Sequence, residues 1–483
     1  MSESSRALPD RPSLRFLKLE AKRRLAAAEF GTLHEAQLAI AREHGFPSWP
    51  ALKNAISPET TALPHVRWLV DRFKDDENWS PPSDTELGEH LTERFLGMVP
   101  PDILTKQLRS VAAKLREELT VDASTDDTVR AEIAGLRIEA SAEDEPPHRL
   151  RALRMYPIAK RLTDTRVNNP TSRTTGDAPQ RGQDIAEQSM AELGLPGLIL
   201  AGSPEWTVAR GWADLDRREE LRPDHRFPAY GVAKLITAVA VLKVVDGIDR
   251  RANELLRGPR LADDDITVRE LLTHTAGVVS PEVQFAPEAP EFAYHDTTIP
   301  CSDRRGEFVP SNGGYAVLGK IIADVTGVAY PDAVRTLVFE PLGMADSDFP
   351  THWPGGAVVT GYHLADDGTF EEAERHVSTT AAAGGLWTTA PDLVRFGRHW
   401  TSLLTPELTE EALRPQAGPP GAAQLGLGWL VNPAKAVCGH SGVGPGAGVS
   451  LIISMSTGSV TVAAANRLVP IEPVNARLSR PIA

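Results

Sequence analysis

Residues 227–246 read FPAYGVAKLITAVAVLKVVD. From Val232 onward nearly every side chain is apolar, so the segment reads as the beginning of an apolar helix. Two residues break that uniformity. Gly231 stands at the mouth of the helix and Lys234 follows one turn inside, on the same helical face. An ammonium drawn into an apolar helix is costly unless partners receive it.

The chain has 483 residues, more than a single hydrophobic core supports, so two or three domains are expected. Hydrophobic residues make up 41% and charged residues 24%, which is the composition of a soluble globular protein. The formal net charge of −14 argues against a nucleic-acid surface, because phosphate binding needs clustered Lys and Arg. It also disfavours an anionic membrane. Cys301 and Cys438 are too few for a disulfide framework and lack the spacing of metal ligands, so no metal and no cofactor are expected. The N-terminal MSESSRALPDRP has no basic stretch leading into an apolar one, and no apolar run is long enough to span a bilayer. The expected location is the cytoplasm.

Composition divides the chain into four parts. Residues 1–60 form a helical segment: Leu14, Leu17, Ala21 and Leu25 share one face, Leu33 to His44 restore the period, and GFPSWP (45–50) turns the chain. Residues 61–165 read as a small α+β domain. Helices flank a Pro100-Pro101 break, and alternation follows in VRAEIAGLRIEASA (129–142) and HRLRALRMYPI (148–158), as in antiparallel strands. Residues 166–185, RVNNPTSRTTGDAPQRGQDI, are polar and without period, as a linker is. Residues 186–483 alternate apolar strands and helices.

Three resemblances add to this. AQLAIAREHGFPSWPALK (36–53) resembles the segment that precedes ankyrin-type repeats, which implies a docking or packing module in residues 1–60 and no chemistry. EHLTERFLGMVPPDIL (89–104) looks like part of a cone-shaped, ketosteroid-isomerase-like domain, with no carboxylate or tyrosine assignable to proton transfer. The third domain is similar to the serine β-lactamase and penicillin-binding-protein superfamily, in its class C and esterase branch. ITVRELLTHTAGV (266–278), FVPSNGGYAVLGKIIADVTG (308–327), FEPLGMADSDF (339–349), AAAGGLWTTAPDLVRFGRHW (381–400) and CGHSGVGPGAGVSLIISMSTGSVTVAAANR (438–467) carry this resemblance in order. It implies an antiparallel sheet flanked by helices, with a helical subdomain.

The resemblance also implies acyl-transfer chemistry: a serine opening a helix, a lysine three residues on, a loop tyrosine, and an oxyanion hole of backbone N–H groups. Here the serine position falls on Gly231 and the tyrosine position on Pro310, while Lys234, Ser311, Asn312 and His440-Ser441-Gly442 remain. Glycine forms no covalent intermediate, and proline donates no proton. The expected catalytic groups are therefore Lys234, the Gly231 N–H as oxyanion donor and Tyr230 at the pocket mouth. The expected substrate contacts are Ser311, Asn312, Pro310, His440, Ser441 and Gly442. Cys301 lacks an evident base partner, Cys438 reads as a small buried residue, and His274 as a hydrogen-bonding histidine of a turn.

The functional expectation is a repurposed, non-acylating enzyme of cyclase, isomerase or lyase type acting on a small carbonyl-bearing metabolite. A catalytically silent ligand-binding or regulatory protein is the alternative, and a weak β-lactamase- or esterase-like hydrolase a third. The expected partner is a small molecule, with no nucleic acid and no membrane.

Overall fold

The computed structural model describes residues 60–479 apart from 75–78, 100, 125–126, 144–145, 158–161, 169, 366 and 419–422, together with 20, 21, 23–25, 30, 32–44, 49 and 52. The chain forms two compact units, Met1–Met155 and Tyr156–Ala483.

In the first unit, helix α1 (Leu33–Glu43) starts at a reciprocal cap in which Thr32 accepts from the Glu35 N–H and Glu35 accepts from the Thr32 N–H. Such a box satisfies two of the donors that a helix start leaves open. Ala36, Ile40 and Ala41 bury one face of α1 beside Ala21 and Leu52. Leu14 and Leu17, and most of the turn expected at 45–50, lie outside the described residues, as does most of the segment expected to meet a protein partner. Helices α2 (Leu63–Phe73), α3 (Asp84–His90), α4 (Glu93–Met98) and α5 (Pro101–Ser110) follow. Pro101 is the first residue of α5, where a missing N–H costs nothing. Strands β1 (Thr120–Ser124), β2 (Thr128–Ile133), β3 (Leu136–Ala142) and β4 (Leu150–Pro157) pair in sequence order. Along β3 buried and half-buried residues alternate strictly, the signature of a sheet with one covered face. Leu63, Val66, Leu69, Val70 and Phe73 of α2 supply the cover.

The second unit is built on one antiparallel sheet. Its path strands run β8 (Gln424–Leu425), β9 (Leu430–Asn432), β10 (Val437–Gly444), β11 (Ala447–Ser454), β12 (Val460–Ala465), β6 (Gly197–Gly202), β7 (Trp206–Asp214), β5 (Ser172–Thr175). The polar stretch 166–185 differs from a plain linker. It supplies strand β5 against β7 and the start of helix α6 (Gln180–Leu193). All four residues of β5 are exposed, so this edge strand is held by its ladder and carries no apolar alternation to read.

Helix α7 (Ala233–Val244) is the centre of this unit, with every residue from Ala233 to Leu242 buried. It packs with helix α8 (Asn312–Thr326) and the short turn Ala381–Gly384. Ser311 caps α8 by accepting the Gly314 N–H at 3.2 Å, and Gly327 ends it in the left-handed conformation. Thr267 and Glu270 form a second reciprocal cap on the short helix Val268–Leu272. In the same core as α7, helix α9 (Ala390–His399) brings Phe396 against Trp429, which also meets Trp400 with ring centroids 4.2 Å apart. Among the described residues no helix is long and apolar enough to cross a membrane.

Trp429 is fully buried, and its removal leaves a void that neighbouring rings cannot close. Trp429→Ala is expected to destabilise the protein by about 3–5 kcal/mol in denaturant unfolding; a loss below about 1 kcal/mol contradicts this packing.

Candidate active site

The start of α7, the start of α8, the turn Ala381–Gly384 and strand β10 meet around a cavity of about 240 Å³. Tyr230, Gly231, Lys234, Asn312, His440, Ser441 and Gly442 line it, as do Gln284, Phe285, Ser378, Ala383, Gly384 and Val443.

Lys234 sits at the base, 8% exposed. Its Nζ donates to Asn312 Oδ1 at 2.9 Å and to the Ala383 carbonyl at 3.0 Å, and it lies 5.5 Å from the centre of the Tyr315 ring. Among the described residues it forms no ion pair. Burial without a counter-charge lowers the ammonium from its usual range to about 8. Asn312 is oriented in turn, its Nδ2 donating to Gln284 Oε1 at 2.9 Å.

Gly231 lies in the tight turn Tyr230–Val232 that leads into α7. Tyr230 takes a positive φ of 44° there, a conformation that non-glycine residues hold only where the surroundings enforce it. A Cβ added at Gly231 would meet the Ser441 carbonyl oxygen at 2.6 Å and the His440 ring at 3.0 Å. The space beside Gly231 is therefore filled by strand β10. Strand β10 can approach because it too is bare: a Cβ at Gly442 would lie 2.2 Å from the Ala229 oxygen and 2.6 Å from the Gly231 nitrogen.

The His440 Nδ1 is 2.7 Å from the Ser441 carbonyl, a contact that requires a proton on Nδ1. In the neutral ring Nε2 is then an acceptor. Burial first, then the nearby Lys234 ammonium, hold the imidazole down at about 4. His274 is buried, accepts the Ser311 N–H at 3.2 Å, and is pushed well below its ordinary range by burial and by Lys234. Among the described residues, Lys234 is thus the single charged side chain on the cavity wall.

The other sequence-derived candidates are engaged with neighbouring groups or lie off the cavity. The Tyr230 hydroxyl donates to the Pro445 carbonyl at 2.6 Å and lies 3.1 Å from His376 Nε2, and burial holds the phenol well above its ordinary range. Ser311 spends its hydroxyl on the Val278 carbonyl at 2.6 Å and on capping α8. Pro310 is exposed. Neither Ser311 nor Pro310 is among the cavity-lining residues. Both cysteines are free, and burial raises both thiols, that of Cys438 to about 12. Gln284, Phe285 and Ser378 have no motif that marks them. They arrive through a two-residue ladder in which Phe285 pairs with Ser378.

A buried lysine one turn inside a helix, a capped Ser-Asn helix start and a His-Ser-Gly strand, set on an antiparallel sheet, define the class of this unit. A model of the family described as Beta-lactamase matches residues 183–481, more than half of the chain, and the chain belongs to that family. It is 28% identical over 193 residues to penicillin-binding protein 4 of Amycolatopsis lactamdurans, covering 36% of this chain and 50% of that protein. The chain thus spans about half the length of that relative. A penicillin-binding protein from Bacillus halodurans shares the fold with a TM-score of 0.53 at 20% identity, over 62% of this chain and 98% of that one. D-amino acid amidase from Ochrobactrum anthropi does so with a TM-score of 0.51 at 24% identity, over 62% and 96%.

The lowered ammonium has a consequence for stability. The unfolded chain keeps the Lys234 proton to about 10.5, whereas the folded protein releases it near 8. Between these values the unfolded state binds more protons, so stability rises with pH. Against Lys234→Met, the native protein is expected to gain on the order of 2 kcal/mol in denaturant unfolding as pH rises from about 8 to about 10. Parallel pH profiles for the two proteins contradict the buried, unpaired cation.

Proposed function

We propose that Gly231 occupies the family's nucleophile position and that the protein acts without an acyl-enzyme, on a small carbonyl-bearing molecule, by cyclase-, isomerase- or lyase-type chemistry. The observation that carries this is the filled space at residue 231. The 2.6 Å and 3.0 Å approaches of Ser441 and His440 leave no room for a serine side chain beside Lys234. The remaining groups favour polarisation of a carbonyl. The backbone at Gly231, at a helix start, and the Lys234 ammonium stabilise negative charge on its oxygen, and His440 Nε2 accepts a proton or a hydrogen bond from the bound molecule. Ligand binding without turnover is the second reading, favoured by the low basicity of His440. In either case residues 1–60 act as a docking segment and 61–165 as a ketosteroid-isomerase-like module with a structural role.

The test is direct. After incubation with a chromogenic cephalosporin, p-nitrophenyl esters and a fluorophosphonate, the intact mass is expected to stay unchanged. An adduct mapping to residues 227–238 or to Cys301 overturns the proposal. Gly231→Ser is expected to remain unacylated and to lose about 1–3 kcal/mol of stability through the forced contacts. A stable, acylating variant would show that the site keeps room for a nucleophile.

A further inference from the structure

Among the described residues, the cavity carries one charge and no counter-charge. Facing Lys234 are Asn312, the Ala383 carbonyl, the Tyr315 ring, and His440 and His274, both neutral near pH 7 because burial and Lys234 itself depress them. No Asp or Glu is among the cavity-lining residues. A desolvated ammonium with two neutral acceptors is under-compensated, and burying it against a carboxylate recovers more than water or an amide can.

Part of the mouth is apolar. Val279, Val283, Phe285 and Val443 are four of the seven large hydrophobic side chains that stand exposed among the described residues. Phe285 and Val443 line the cavity itself, and Val279 and Val283 share the loop that brings Gln284 and Phe285 to it. Exposed apolar groups clustered at a cavity rim mark a surface that a ligand covers.

We infer that the ligand of this site is a small carboxylate with an apolar body, its carboxyl group held by Lys234 on the cavity side and its apolar part against Phe285 and Val443. The inference rests on the function proposed above and names its substrate class. The carbonyl oxygen held there is one of a carboxylate. A volume of about 240 Å³ suits an acid of modest size, such as a phenyl-substituted short-chain acid. Occupation also cancels the Lys234 charge that helps depress His440, so the bound anion makes Nε2 a better proton acceptor than in the empty site.

The experiment is calorimetric titration of the full chain with 4-phenylbutyrate, 4-phenylbutyramide and 4-phenylbutylamine. The acid is expected to bind at least about tenfold more tightly than the amide, and the amine not at all. The preference is expected to fade between about pH 7 and about pH 10 as Lys234 loses its proton. Lys234→Met is expected to abolish the preference. Should that variant misfold, Val443→Asp places an acid at an exposed mouth position and is expected to weaken the acid more than the amide, which loses only the shared apolar contact. Equal binding of acid and amide, tighter binding of the amine, a pH-independent preference, or no acid binding up to about 10 mM overturns the inference. Any of these in a protein that forms no covalent adduct overturns the ligand class alone. An adduct instead overturns the non-acylating reading.

Discussion

The Lys234 ammonium joins three segments that are far apart in the chain: the first turn of α7, the Asn312 start of α8 and the Ala381–Gly384 turn. Each contributes either the lysine or an acceptor for it, and none of the acceptors is charged. The arrangement costs desolvation free energy that a carboxylate partner would offset, and the protein leaves that offset unmade. Strand β10 closes on this point because Gly231 and Gly442 present no side chains to each other. Cavity, cation and strand approach are one construction.

Much of this was legible in the sequence, and the part that was not has identifiable causes. The apolar run from Val232 marked a helix, which the structure buries from Ala233 to Leu242, and the order of motifs from 266 to 467 implied the family, whose model matches 183–481. Strand β5 was hidden because an edge strand with four exposed residues has no alternation to show. Gln284, Phe285 and Ser378 were hidden because they reach the cavity through loops and a two-residue ladder. No periodicity announces such pairings. Ser311 illustrates the reverse error. Its neighbour Asn312 meets the lysine, whereas its own hydroxyl turns to the Val278 carbonyl and the helix cap. One residue of register along a helix start separates a cavity residue from a structural one.

His440 shows how the site's electrostatics follow from its geometry. The Ser441 carbonyl fixes the proton on Nδ1, burial removes water, and Lys234 repels a second proton. The outcome is a neutral acceptor beside a cation, in a cavity otherwise lined by neutral groups. Under the proposed reading, such a pair orders a ligand with an anionic end and a hydrogen-bond donor.

The most direct test of this account is the titration of Lys234 itself, followed by ¹³C NMR on protein labelled at lysine Cε, with the resonance assigned by its absence in Lys234→Met. The account predicts a midpoint near 8 in the free protein, moving upward when a carboxylate binds. A midpoint at the ordinary lysine value of about 10.4, unmoved by any carboxylate, would contradict it.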